Sequence, residues 1–201
     1  MESERYSNIK KDIEGIIKKS PLEWDLVHSG KVLFWLLKLK PDADEILKIA
    51  ALAHDMERGA TGITEITHLK DYGDIKQFKK EHTIRSANIA EGLLKKHGYG
   101  EEEIKRARKL IENHEEGGDE ETNTLRDADS VAFFDYNLEP TLNRNKMINP
   151  DAVERTKSKI KFMFNRVSPK AQKIIKDLKY DNPEIQDLIK AIKIISDQAQ
   201  A

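Results

Sequence analysis

Apolar residues recur at three- and four-residue spacing through almost the whole chain, and the strict alternation of a half-buried strand is nearly absent. The pattern therefore predicts an all-α protein. Ser20 followed by Pro21 reads as an N-cap with proline at the first helical position, opening a helix over "PLEWDLVHSGKVLFWLLKLK" that Pro41 ends. Trp24, His28, Val32 and Trp35 fall on one side of that helix, which turns His28 inward. The next helix starts near 42–44, where the carboxylates of Asp42 and Asp44 suit the positive end of a helix dipole. It carries Ile46, Ile49, Ala50 and Ala53 up to an adjacent His54 and Asp55 at its C-terminal end.

The stretch "GATGITEITHLKDYGD", 59–74, is rich in Gly and Thr and is predicted to be a loop and a candidate lid, with His68 as a residue that can swing over a site. From about Asp74 a long helix places His82, Ser86, Ile89, Ala90 and Leu93 on one face and stops at Gly98. The following helix repeats the arrangement with Ile104, Ala107, Ile111 and His114, closed by Gly117 and Gly118. Another holds Leu125, Asp129, Ala132 and Phe133 on one face. Beyond Pro140 and Pro150 come Lys-rich amphipathic helices, 151–167, 169–179 and 183–197, with no further His; they read as packing elements that leave room for a homodimer. Asn143 and Arg144 fall in an irregular stretch between the prolines.

Length and charge narrow the classes. A chain of 201 residues suits one domain, here 1–201, with a core of about 22–135 and a C-terminal helical extension of about 150–200. A net charge of −1 gives no general attraction to polyanions, so nucleic acid is not the default partner. In "RTKSKIKFMFNRV", Ile160, Met163, Phe164 and Val167 form an ordinary buried stripe at helical spacing, which favours a core reading over nucleic-acid binding. The N-terminus lacks the apolar stretch of a signal peptide, and no segment approaches the roughly 18 apolar residues of a membrane span, so a cytoplasmic protein without membrane contact is expected. With no cysteine, thiol chemistry and Cys-based zinc sites are excluded.

The chemistry lies in polar residues that interrupt apolar stripes. His28, His54 with Asp55, His82, His114 and Asp129 sit on successive predicted helices, each facing the core. One buried histidine is commonly just a hydrogen-bonded core residue, but burying several imidazoles and two carboxylates together is costly unless something compensates them. A divalent ion does so at one point, and His nitrogen with carboxylate oxygen is a ligand set for Mn, Co, Ni, Zn or Fe. Six groups exceed one tetrahedral site and suffice for two ions bridged by a carboxylate.

This order of residues resembles the HD-domain superfamily of metal-dependent phosphohydrolases. The resemblance is carried by "AALAHD" with a His 26 residues upstream, by "EHTIRSANIAEGLLKKHGYGEEEIKRARKLIENH", and by "LRDADSV", and it covers roughly residues 22–135. It implies an HD-domain-like helical bundle. His28, His54, Asp55 and Asp129 match the superfamily's mononuclear set, Asp55 being the bridge when a second ion binds, and His82 and His114 match the additional ligands of dinuclear members. Asp127 is then a neighbour that orients a ligand, or exchanges roles with Asp129. After the pair comes "MERG", which departs from the "IGK" of the cyclic-dinucleotide phosphodiesterases and from the Glu-Asp pair of the guanosine-tetraphosphate hydrolases.

The activity so implied is hydrolysis of a small phosphomonoester or phosphodiester, a nucleotide included, by a metal-bound hydroxide. Lys31, one turn after His28, either meets a substrate phosphate or snorkels beside Trp35. Arg58 and Arg85 are candidates to clamp a phosphate, and Glu57 is a candidate general acid or base beside Asp55. Two other classes stay open: a di-iron, O2-dependent oxygenase of the same superfamily, and a non-catalytic, metal-stabilised helical module.

Overall fold

Ser3 opens the first helix by accepting the Tyr6 N–H at 3.1 Å, and α1 (Glu4–Ile17) buries Tyr6, Ile9, Ile13 and Ile17 along one stripe. The computed structural model describes residues 2–65, 67, 75–148 and 152–198; His68 and the second half of the expected lid lie outside the described residues. Every regular element among the described residues is helical, as the periodicity predicts. No helix among them is long and apolar enough to cross a membrane. Two compact units divide the chain, Met1–Asp129 and Ser130–Ala201.

In the first unit α2 spans Asp25–Leu39, so the expected start at Ser20 is corrected. The Ser20 hydroxyl donates to Asp25 at 2.6 Å and accepts the Leu22 N–H at 3.1 Å, which closes a turn ahead of the helix and leaves Pro21 outside it. Asp25, His28, Ser29, Val32 and Leu36 are its buried face, while Trp24 and Trp35 are half-buried. Asp44 caps α3 (Glu45–Ala53) by accepting the Leu47 N–H, and the helix is buried on nearly every side. It packs against α1, α2 and a later helix, Glu101–Glu112, which is why its sequence is apolar almost throughout.

The predicted loop from Gly59 is corrected too. A short helix, α4 (Glu57–Thr61), runs through it and ends at Gly62, whose φ of +72° lets its N–H reach the Arg58 carbonyl at 2.9 Å. Gly59 lies against α1: a Cβ there would meet the Ile16 carbonyl oxygen at 2.1 Å. Helix α5 (Ile75–Lys96) buries Phe78, His82, Thr83, Ser86, Ala87, Ala90 and Leu94; Leu94 takes the place expected of Leu93, because the stripe drifts over so long a helix. Gly98 stops it with φ of +75°. Helices α6 (Glu101–Glu112) and α7 (Glu120–Ala132) follow, and α6 packs along α5.

The second unit continues from α7 through a π-helical turn, Phe133–Asn137, into α8 (Leu138–Ile148). Asn143 and Arg144 are therefore helical, not irregular. Pro140 has no N–H for the carbonyl four residues back and its ring crowds it; the widened turn just before accommodates both. Helices α9 (Ala152–Asn165), α10 (Pro169–Asp177, capped by Ser168) and α11 (Pro183–Gln198) complete the unit. Ile160, Met163, Phe164 and Val167 are buried as the core reading requires, and Phe162 is exposed.

Candidate metal centre

His54 and His114 share one local design. Each stands just past the end of a helix, His54 after α3 and His114 after the Asn113 cap of α6, so His114 is off the helix rather than in it. The His54 Nδ1 lies 2.9 Å from the Ala51 carbonyl oxygen and the His114 Nδ1 2.8 Å from that of Ile111. A carbonyl only accepts, so each Nδ1 carries the proton and donates it, which leaves Nε2 to face the interior of the unit. His28 reaches the same region from α2, beside Ser29, whose hydroxyl ties α2 to the Leu52 carbonyl. His82 comes from α5, with its ring stacked on Phe78 at 5.3 Å.

These four rings form a row. Centroids are 5.3 Å apart for His28 and His54, 5.0 Å for His54 and His114, and 5.3 Å for His114 and His82. Carboxylates lie along it. Asp129 Oδ1 is 3.2 Å from His28 Nε2 and 3.7 Å from His54 Nε2 at one end. Asp55 occupies the middle, Oδ2 at 3.5 Å from His54 and Oδ1 at 3.4 Å from His82 and 3.8 Å from His114. At the far end is Glu115, 3.4 Å from His82 Nε2, a residue the sequence reading did not single out. Three groups have ligand atoms within 4.8 Å of one another: His28, His54 and Asp129; His54, Asp55 and His114; His82, His114 and Glu115. A signal for Glu115 was present, since "HE" at 114–115 repeats the His-carboxylate pairing of "HD" at 54–55.

Around the row, the expected substrate-binding cations already face carboxylates. Arg58 Nη1 is 2.7 Å from Asp55 Oδ2 and 3.2 Å from the buried Asp25, which no motif pointed to. Arg85 Nε donates to Glu57 Oε2 at 3.2 Å, and its Nη1 lies 3.3 Å from Glu81. Glu57 is wholly buried and also accepts from the Thr61 hydroxyl. Lys31 is half-buried on α2 one turn beyond His28. Asp127 lies 3.3 Å from Arg126, while Asp129 is the member of the "DAD" that joins the row.

Charge is unevenly spread. Burial pushes the His54 imidazolium down, but Asp55 and Asp129 outweigh it and raise the group to about 9. Burial and then the neighbouring His54 push His114 down to about 4. Burial works against the Asp55 carboxylate, yet Arg58 and His54 hold it well below the usual carboxylate range. Burial opposes the Arg58 charge as well, and Asp55 and Asp25 overcome it.

The residues fit a divalent cation. His54 Nε2 and Asp55 Oδ1, adjacent in the middle of the row, are buried with no hydrogen-bond partner. Each such atom ordinarily costs about 1–3 kcal/mol, and a cation is the species that imidazole nitrogens and carboxylate oxygens can satisfy together. The buried His and Asp groups can thus hold a metal ion. No curated protein matches the chain. No solved structure matches it either. A family model does match, over residues 9–189 and hence nearly the whole chain, and the protein belongs to that family, the domain of unknown function DUF4202.

Proposed function

We propose that this protein is a metal-dependent phosphohydrolase acting on a small phosphomonoester or phosphodiester, with nucleotides among the candidates, at a centre for two divalent ions. The observation that carries the reading is the placement of Asp55, whose two oxygens face different imidazoles of the row: Oδ2 towards His54, Oδ1 towards His82 and His114. His28, His54 and Asp129 would hold one ion and His82 and His114 the other, with Asp55 standing between the two sets. Ions held there would supply a water of lowered pKa and polarise phosphoryl oxygens. The resemblance of the His, His-Asp, His, His, Asp order to the HD-domain superfamily supplies the phosphorus.

The protein's own groups divide the remaining work. The carbonyls of Ala51 and Ile111 fix the imidazoles of His54 and His114 in the tautomer that presents Nε2. Arg58 commits its guanidinium to Asp55 and Asp25, so we assign it to holding Asp55 in place. Arg85 keeps a buried Nη2 without a partner, and this is the donor best suited to a phosphate oxygen. Glu57 is sealed from solvent behind Arg85 and Thr61, which suits positioning of Arg85 better than proton transfer. Lys31 remains a candidate cation for the leaving group's side.

Elemental analysis of protein purified without chelators or an affinity tag tests the reading, followed by phosphate-release assays on p-nitrophenyl phosphate, its bis-ester and nucleotides. The expected result is about two equivalents of Mn, Co, Ni or Zn and a metal-dependent turnover. Asp55→Ala should abolish that turnover with an unchanged helical CD spectrum. A protein that neither holds nor reloads metal overturns the proposal, and two equivalents of iron with O2 consumption would replace it by the oxygenase.

A further inference from the structure

The pair His114-Glu115 repeats the pair His54-Asp55 in three dimensions. Both histidines follow a helix end, both anchor Nδ1 on the carbonyl three residues earlier, and in both the next residue offers a carboxylate to the row of rings. Asp55 is shared along the middle of the row, whereas Glu115 stands at its far end, with Oε1 facing His82 Nε2 at 3.4 Å. Its ligand oxygen, a nitrogen of His82 and one of His114 all fall within 4.8 Å of one another. The other oxygen, Oε2, takes a hydrogen bond from Lys79 Nζ at 3.0 Å.

Resting on the two-ion reading above, we infer that Glu115 is a ligand of the second ion, beside His82 and His114, and that Lys79 is its positioning residue. Lys79 lies on α5 one turn before His82, so a single helix carries both the imidazole and the cation that aims the carboxylate. Because Lys79 binds Oε2 and Oε1 faces His82, Glu115 can ligate without breaking its ion pair. The division of labour is the usual one for a ligating carboxylate, one oxygen for the metal and one for an orienting donor. At this second centre His82 offers Nε2, the nitrogen that faces Glu115, while its Nδ1 faces Asp55, so the centre gains a carboxylate of its own, matching Asp129 at the first.

The test is a Co²⁺ titration of the metal-free full chain, followed by visible absorption and by metal content after dialysis. Wild type should show two binding phases. Glu115→Gln, nearly isosteric, should leave the first phase in place and shift the second to at least about tenfold higher Co²⁺, so that dialysis retains about one equivalent. Lys79→Met should shift the second phase by about tenfold with the first unmoved, and it carries the test if Glu115→Gln does not fold. A second phase unchanged in Glu115→Gln, or in Lys79→Met, overturns the inference while leaving the two-ion reading intact. A wild type with one phase removes the second centre and the inference with it, and a wild type with none removes the metal reading altogether.

Discussion

The imidazoles of His54 and His114 meet edge to face, centroids 5.0 Å apart and planes at 78°, although 60 positions separate them in the chain. They are electrostatic opposites: His54, beside Asp55 and Asp129, holds its proton up to about 9, and that charge helps keep His114 neutral down to about 4.

Metal binding should therefore release a proton. Near pH 7.5 the metal-free chain carries most of a proton on His54 Nε2, the atom a cation must displace it from. Calorimetric binding heats in buffers of different ionisation enthalpy should report about one proton released for the first ion, and affinity should rise with pH towards about 9. Heats that do not depend on the buffer would refute this.

The stability of the metal-free protein should fall on both sides of about pH 6.5. The raised His54 value contributes stability in full below the ordinary 6.5, and that contribution is lost as pH climbs through about 9. For the lowered His114 the sign reverses: its contribution is full above 6.5 and is lost as pH falls through about 4. Each arm is on the order of 3 kcal/mol. Melting curves in EDTA across this range should show His54→Gln flattening the alkaline arm and His114→Gln the acidic one.

Arg58→Met should cost about 3 kcal/mol, since it strands the buried Asp25 without its guanidinium. Adding Asp25→Asn should recover a substantial part in urea unfolding. Additive losses would mean that Arg58 acts through Asp55 alone.

Two glycines should respond in opposite directions. Gly59→Ala drives a methyl into the Ile16 backbone and should destabilise by about 2 kcal/mol or more. Gly92→Ala, in α5 with nothing within 4 Å of its Cβ, should stabilise by up to about 1 kcal/mol. Equal effects in chemical denaturation would contradict the close approach of α1 and α4.

Read alone, the sequence determined what depends on local periodicity. Helical stripes announced which histidines turn inward, and His28, His54, His82 and His114 are all buried, as is the stripe from Ile160 to Val167. Spacing along a helix fixes which side a residue faces, and burying that side is the main driving force for packing, so these facts are written locally. The tertiary structure decided what depends on distance between elements. Ser20 bonds to Asp25 instead of capping a helix, Arg58 and Arg85 turn to the carboxylates of Asp55, Asp25 and Glu57, and Glu115 meets His82 across the packing of α5 against α6. Ion pairs and ligand sets form within a few ångströms between residues that are far apart in sequence, and no local pattern encodes that separation.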